Sequence, residues 1–154
     1  MLFPDVDVPS GWTAKDVGPR RWLLPPGLTA ETSGARIVLV PLLGRRGDAG
    51  VKELLEETLR GELARFPHMR QTDFEPLTSD AGLAGLRFEL AILKGAPTGG
   101  APQPDDVQEW RAYAAFADEH FFYSLFLQGY PGWYERTVGT FWSTARSVRP
   151  TKVG

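Results

Sequence analysis

Two long alternating runs, Val107 to Ala117 and His120 to Gln128, are separated by only Asp118 and Glu119. No other feature of the sequence narrows the fold as much. Strand-length runs this close together pair as an antiparallel hairpin, because a parallel partner needs a crossover of roughly a dozen residues. With an even loop built on Asp118 and Glu119, Trp110 faces Leu127, Ala112 faces Leu125, Ala114 faces Tyr123 and Phe116 faces Phe121. That side reads as core. The other side sets Glu109 against Gln128, Arg111 against Phe126, Tyr113 against Ser124 and Ala115 against Phe122. A loop of odd length would change these pairs. The preceding run, Leu86 to Ile92, also alternates. It is expected to send Leu86, Phe88, Leu90 and Ile92 to the core, and Arg87, Glu89 and Ala91 to the second face.

That second face combines Tyr113, Phe122 and Phe126 with hydrogen-bonding groups and the small Ala115 and Ser124. A fully solvated sheet face is not built this way, so something covers part of it. One answer is a helix of the chain itself. The other is a helical segment of a partner protein laid across a polar-rimmed aromatic groove. In that case Arg87, Glu89, Arg111, Tyr113, Phe122, Ser124 and Phe126 are the partner-binding residues.

The rest of the chain supplies further strands and two helices. The first 34 residues are rich in Pro and Gly and hold one short apolar run, Trp22 to Leu24, which suits an edge strand. Ala35 to Pro41 is β-branched and unbroken in apolarity, as expected of a strand buried on both faces. After the Gly44 to Gly50 loop the period becomes 3.6. Val51, Leu54, Leu55, Thr58, Leu59, Leu63 and Phe66 fall on one stripe, with Asp48 as candidate N-cap and Pro67 as the stop. Thr72 to Thr78 reads as a strand interrupted by Pro76, and Lys94 to Asp106 as a long exposed loop. Pro131 opens a last helix with Tyr134, Val138, Phe141, Trp142, Ala145 and Val148 on one face. Strands pairing mostly antiparallel, with one helix inserted early and one closing the chain, define an α+β fold in a single domain of 154 residues. The expected architecture is a twisted sheet packed by two main helices.

Composition excludes several functions. The chain has no Cys, which removes disulfides, thiolate metal sites and cysteine nucleophiles together. His68 and His120 are its only histidines, too few for a His-rich metal centre. A formal net charge of -2 gives no field for nucleic acid or an anionic membrane. The N-terminus has no cationic region or cleavage site, and no stretch approaches the roughly 18 apolar residues of a membrane span. A cytoplasmic protein that does not insert in membranes is expected.

The chemical motifs are weak. Gly44, Gly47 and Gly50 between a strand and a helix resemble a phosphate cradle, but Glu53 stands where a P-loop needs a hydroxyl and Asp48 would repel the anion. Arg45 and Arg46 then read as solvated. Asp118, Glu119 and His120 are adjacent at a hairpin tip, where alternation points neighbours to opposite sides. His68 reads as solvated, as do the pairs Glu56-Glu57 and Asp105-Asp106. With no catalytic residue, metal ligand or cofactor motif, the expectation is binding without catalysis; the alternative, an enzyme with an unfamiliar site, would need a deep pocket collecting His120 with two carboxylates.

The order of elements resembles the PsbP-like, DcrB-like and Mog-type family of α/β/α sandwiches. The resemblance spans the opening Asp7-Val8-Pro9-Ser10-Gly11-Trp12, the strand Ala35 to Pro41, the helix Val51 to Phe66, the Gly82-Leu83-Ala84-Gly85-Leu86 turn, the long hairpin, and the closing helix ending in Arg146-Ser147-Val148. It implies binding and adaptor work. Two branches fit a chain without an export signal. One resembles Eag-type chaperones of type VI secretion effectors, which implies a cytoplasmic homodimer holding an effector's apolar helices on its sheet. The other resembles Mog proteins, which implies a regulator of a Ras-like small GTPase. The opening motif and the amphipathic sheet face favour the chaperone, and the Lys94 to Asp106 loop departs from the pattern.

Overall fold

The computed structural model describes residues 2–45, 47–96 and 104–152. Arg46 and most of the expected 94–106 loop lie outside these. The two ends of that loop are tied by the Lys94 N–H, which donates to the Asp106 carbonyl at 2.9 Å.

Nine strands form one sheet among the described residues: β1 (Thr13–Val17), β2 (Arg20–Leu24), β3 (Ala35–Leu39), β4 (Leu43–Gly44), β5 (Met69–Gln71), β6 (Glu75–Thr78), β7 (Ala84–Leu93), β8 (Val107–Ala117) and β9 (Phe121–Gly129). Their order is β1-β2-β3-β9-β8-β7-β5, with β4 pairing β9 and β6 pairing β7. Every pairing is antiparallel. Two helices, α1 (Val51–Arg65) and α2 (Trp133–Arg146), complete the expected α+β architecture. β2 is not an edge strand, because the Gly18-Pro19 turn folds β1 back along it and makes β1 the edge.

The helices lie on opposite faces, as strand alternation shows. Ile37, Leu39, Ala112, Ala114, Phe116, Tyr123, Leu125 and Leu127 pack with Tyr134, Phe141 and Ala145 of α2. The intervening residues Val38, Tyr113, Ala115 and Phe126 join Phe88, Leu90, Ile92 and Leu55 of α1 in a second core. Successive side chains on a strand point to opposite sides, so these two cores are the two faces of one sheet. The grip of the helices differs. α2 buries Tyr134, Thr137, Phe141, Thr144 and Ala145, whereas Leu55 is the one fully buried side chain of α1.

Helix starts are built alike and not as expected. Gly50, and not Asp48, is the N-cap of α1, and its N–H donates to the Glu53 carboxylate at 3.1 Å. In α2 the Gly132 N–H donates to Glu135 at 2.7 Å. A carboxylate three residues into a helix satisfies one orphan donor and complements the dipole, so a capping hydroxyl is not required. The two ends of the chain are joined: Arg149 pairs with Asp5 at 3.0 Å and Asp7 at 2.6 Å, and Ser147 Oγ accepts the Asp7 N–H at 2.8 Å. No helix among the described residues is long and apolar enough to cross a membrane.

Two glycines test this packing with opposite signs. A Cβ on Gly85 would overlap the Ala115 carbonyl oxygen and the Phe116 ring, whereas Gly61 in α1 faces open space. Gly85→Ala is expected to destabilise the protein by about 3 kcal/mol. Gly61→Ala is expected to stabilise it by about 0.5–1 kcal/mol. Thermal melting of both variants reads the difference.

Candidate functional site

The hairpin turn sets which residues share a face. Asp118 Oδ1 accepts the N–H groups of both His120 and Phe121 at 2.8 Å, and the Asp118 N–H donates to the Phe121 carbonyl at 3.1 Å. Asp118 and Phe121 therefore close a turn whose apex is Glu119-His120, one residue later than expected. An aspartate holding the backbone two and three residues on makes such a turn. Pairing moves by two positions: Tyr113 faces Phe126, Ala115 faces Ser124 and Arg111 faces Gln128. A shift of two leaves every side chain on its expected face.

The preceding strand is a correction. Phe88 faces Tyr113 and Leu90 faces Arg111, while Arg87 faces Ala114 and Glu89 faces Ala112. Arg87 and Glu89 thus lie on the α2 side, away from Arg111, Tyr113, Phe122, Ser124 and Phe126. The reason is that the sheet has two cores, so the most apolar stripe of β7 did not have to join the Trp110 side. Arg87 stacks over Trp142 at 5.0 Å and pairs with Glu75 at 3.1 Å. Glu89 accepts the Tyr134 hydroxyl, and burial with that carboxylate raises the Tyr134 pKa above its ordinary value.

The other five share the α1 face, where an aromatic ladder crosses the sheet. Phe74 meets Phe88 at 5.1 Å, Phe88 stacks on Tyr113 at 4.8 Å, and Tyr113 stacks on Phe126 at 5.1 Å. Such pairs contribute roughly 0.5–1.5 kcal/mol each beyond burial. Arg111 locks the ladder to α1. It is 4% exposed, donates to Glu62 of α1 at 2.9 Å, to Glu109, and to the Tyr113 hydroxyl at 3.1 Å. Its guanidinium lies over Phe66 and Phe126. Burial works against its charge, but Tyr113 and Glu109 outweigh this and hold its pKa above the usual value. Burial also pushes the Tyr113 phenol up.

Part of this face is therefore covered by the chain's own helix. α1 packs over β7 and β8, and among the described residues no helix crosses β1 and β2 on this side. There three arginines cover the aromatics. Arg36 lies over Trp22 at 3.9 Å, Arg20 over Phe126 at 5.4 Å and Arg45 over Phe122 at 5.4 Å. Arg36 donates to Gln128 at 2.7 Å, and burial lowers its pKa. Arg45 is not solvated: it donates to the carbonyls of Asp118 at 2.8 Å and Ala49 at 3.0 Å, and its Nε is buried without a partner. Arg20, Trp22 and Arg36 were not singled out from sequence. The available signal was a basic and an apolar residue two apart in each strand, Arg20 with Trp22 and Arg36 with Val38.

Asp118 is engaged by backbone and by the Tyr123 hydroxyl at 2.6 Å, and His120 meets Glu119 at 3.5 Å with both exposed. Among the described residues no group of three His, Asp or Glu side chains could hold a metal ion.

The comparisons agree with this geometry at the level of fold. The cyanobacterial PsbP protein CyanoP from Synechocystis sp. PCC 6803 superposes with a TM-score of 0.62 over 93% of this chain and 84% of its own, at 12% identity. The chain has a PsbP-like fold. PA94 from Pseudomonas aeruginosa, a protein of unknown function, matches with a TM-score of 0.54 over 94% of this chain and 100% of its own, at 10% identity. No protein-family profile and no curated protein matches the sequence. Within the PsbP-like sheet, Arg111, Tyr113, Phe122, Ser124 and Phe126 occupy the face over which α1 lies, and Arg87 and Glu89 the α2 face.

Two measurements test the site's construction. Removing Arg111 strands Glu62 and Glu109, so Arg111→Ala is expected to cost about 3–5 kcal/mol in urea unfolding. Burial raises the Asp118 pKa, but the Tyr123 hydroxyl and the two backbone N–H groups prevail and hold it below the ordinary value. Its folded pKa lies below the unfolded one near 3.9, so it stabilises the fold above that pH and the benefit fades as pH falls through the folded value. Asp118→Asn is expected to flatten the loss of stability below about pH 4 in acid titrations of the unfolding midpoint.

Proposed function

We propose that the protein is a non-catalytic binding protein, an adaptor or chaperone that holds an apolar or amphipathic helical segment of a partner protein on the α1 face of its sheet. The carrying observation is that this face already accommodates one amphipathic helix over β7 and β8, while Trp22, Ser124, Gln128 and the arginines over β1, β2, β3 and β9 remain at the surface without one. A partner helix would lie beside α1 and extend the layer, so Tyr113 and Arg111 act as its rigid support and do not themselves touch it. The PsbP-like fold is compatible with such a role. In the finer form of the proposal, the protein works in the cytoplasm and the segment is an apolar helix of a secreted effector, as for chaperones of type VI secretion.

Ser124 is half-buried on this face and Ser143 is exposed on the outer side of α2. Ser124→Arg is expected to abolish the protein's ability to keep a co-expressed apolar-helix fusion soluble, and Ser143→Arg to leave it intact, with both melting within a few degrees of the parent. Equal rescue by both variants would remove the α1 face from the proposal.

A further inference from the structure

We infer that the occupant of this face is acidic: an amphipathic helical segment of a partner protein whose apolar residues seat on Trp22 and its neighbours and whose carboxylates meet Arg20, Arg36 and Arg45. This rests on the binding role proposed above and specifies its chemistry. The three arginines come from β2, β3 and the loop after β4; register places Trp22, Val38 and Phe126 in one row under Arg20 and Arg36, and Arg45 lies over Phe122 further along β9. Among the described residues none of the three has a carboxylate within ion-pair distance; Arg60, Arg70, Arg136 and Arg146 share that property, and what sets the three apart is that they lie over the aromatics of this face. Glu109, the acid beside Arg36, is bonded to Arg111. Charge is thus left uncompensated on one strip of a chain whose net charge is -2.

The chemistry selects the partner class. Arginine lies flat on an aromatic ring by cation–π contact, keeps its donors directed outward and covers apolar surface with its stem. Such a layer accepts carboxylates from above while its gaps take apolar side chains. A nucleic acid or an anionic bilayer is a poorer fit, because a chain of net charge -2 offers no wide positive field and the gaps between the arginines are floored by apolar rings. The bond of Arg36 to Gln128 and those of Arg45 to the carbonyls of Asp118 and Ala49 order these two cations in the free protein, so part of the cost of fixing them is already met.

The test uses the full chain with 15N-labelled tryptophan and three synthetic helices of about 18 residues that share one leucine face and carry Glu, Gln or Lys on the other. The Glu helix is expected to shift the Trp22 indole N–H signal and to bind about tenfold more tightly than the Gln helix. Arg20→Glu combined with Arg36→Gln should erase that preference, and added salt should weaken it. If the Gln helix binds as tightly as the Glu helix at Trp22, the acidic specificity is wrong while the helix-holding role stands. If none of the three moves Trp22, both are wrong. Comparable binding of single-stranded DNA or phosphatidylglycerol vesicles at Trp22 would also overturn the assignment of a protein partner. Circular dichroism of the double variant, and its unchanged melting, separates lost recognition from lost folding.

Discussion

The register between β8 and β9 is the constraint on which the rest of the molecule depends. Both strands are buried on both sides, so a slip of one residue would exchange Arg111, Tyr113 and Ala115 with Trp110, Ala112 and Ala114 between two differently shaped cores. The register is held from the turn. Asp118 fixes two backbone N–H groups with one oxygen and takes the Tyr123 hydroxyl with the other, and Tyr123 in turn accepts the Thr151 N–H at 2.9 Å. One carboxylate thereby connects the hairpin tip, the α2 core and the C-terminal segment.

The two cores are held by different forces. On the α2 side the large residues Phe116, Tyr123 and Phe141 are fully buried, and the helix is joined mainly by dispersion and buried area, with the Tyr134 hydroxyl on Glu89 as a polar tie. On the α1 side the helix contributes little buried surface, and its attachment uses the Arg111 link to Glu62 across the aromatic ladder. Buried ion pairs are poor sources of stability but good selectors of one arrangement, because every alternative leaves a charge unpaired. The same residue type serves a different purpose nearby: Arg20, Arg36 and Arg45 cover aromatics, Arg36 bonded to Gln128 and Arg45 to the carbonyls of Asp118 and Ala49.

Much of this was legible in the chain. The hairpin, both helices and the β3 strand follow from period and punctuation, and the face assignment of β8 and β9 survived a misplaced turn because an even displacement preserves parity. The failure at Arg87 and Glu89 has a specific cause. Alternation divides β7 into two stripes but carries no label saying which neighbour each stripe joins, and Leu86, Phe88, Leu90 and Ile92 suit either core. The capping of α1 by Glu53 through Gly50 was hidden for a related reason, since the donor is a backbone N–H that composition does not reveal.

The sequence by itself determined the element types, the antiparallel hairpin, and a sheet face too aromatic to stand in water. These are local properties, set by side-chain period and chemical inventory. Tertiary structure alone decided that this face is shared between the chain's own helix and a layer of arginines. That outcome depends on which strands become neighbours: Arg36 reaches Trp22 because β2 pairs with β3, and Arg20 and Arg45 reach Phe126 and Phe122 because β3 and β4 pair with β9, which no short-range pattern encodes.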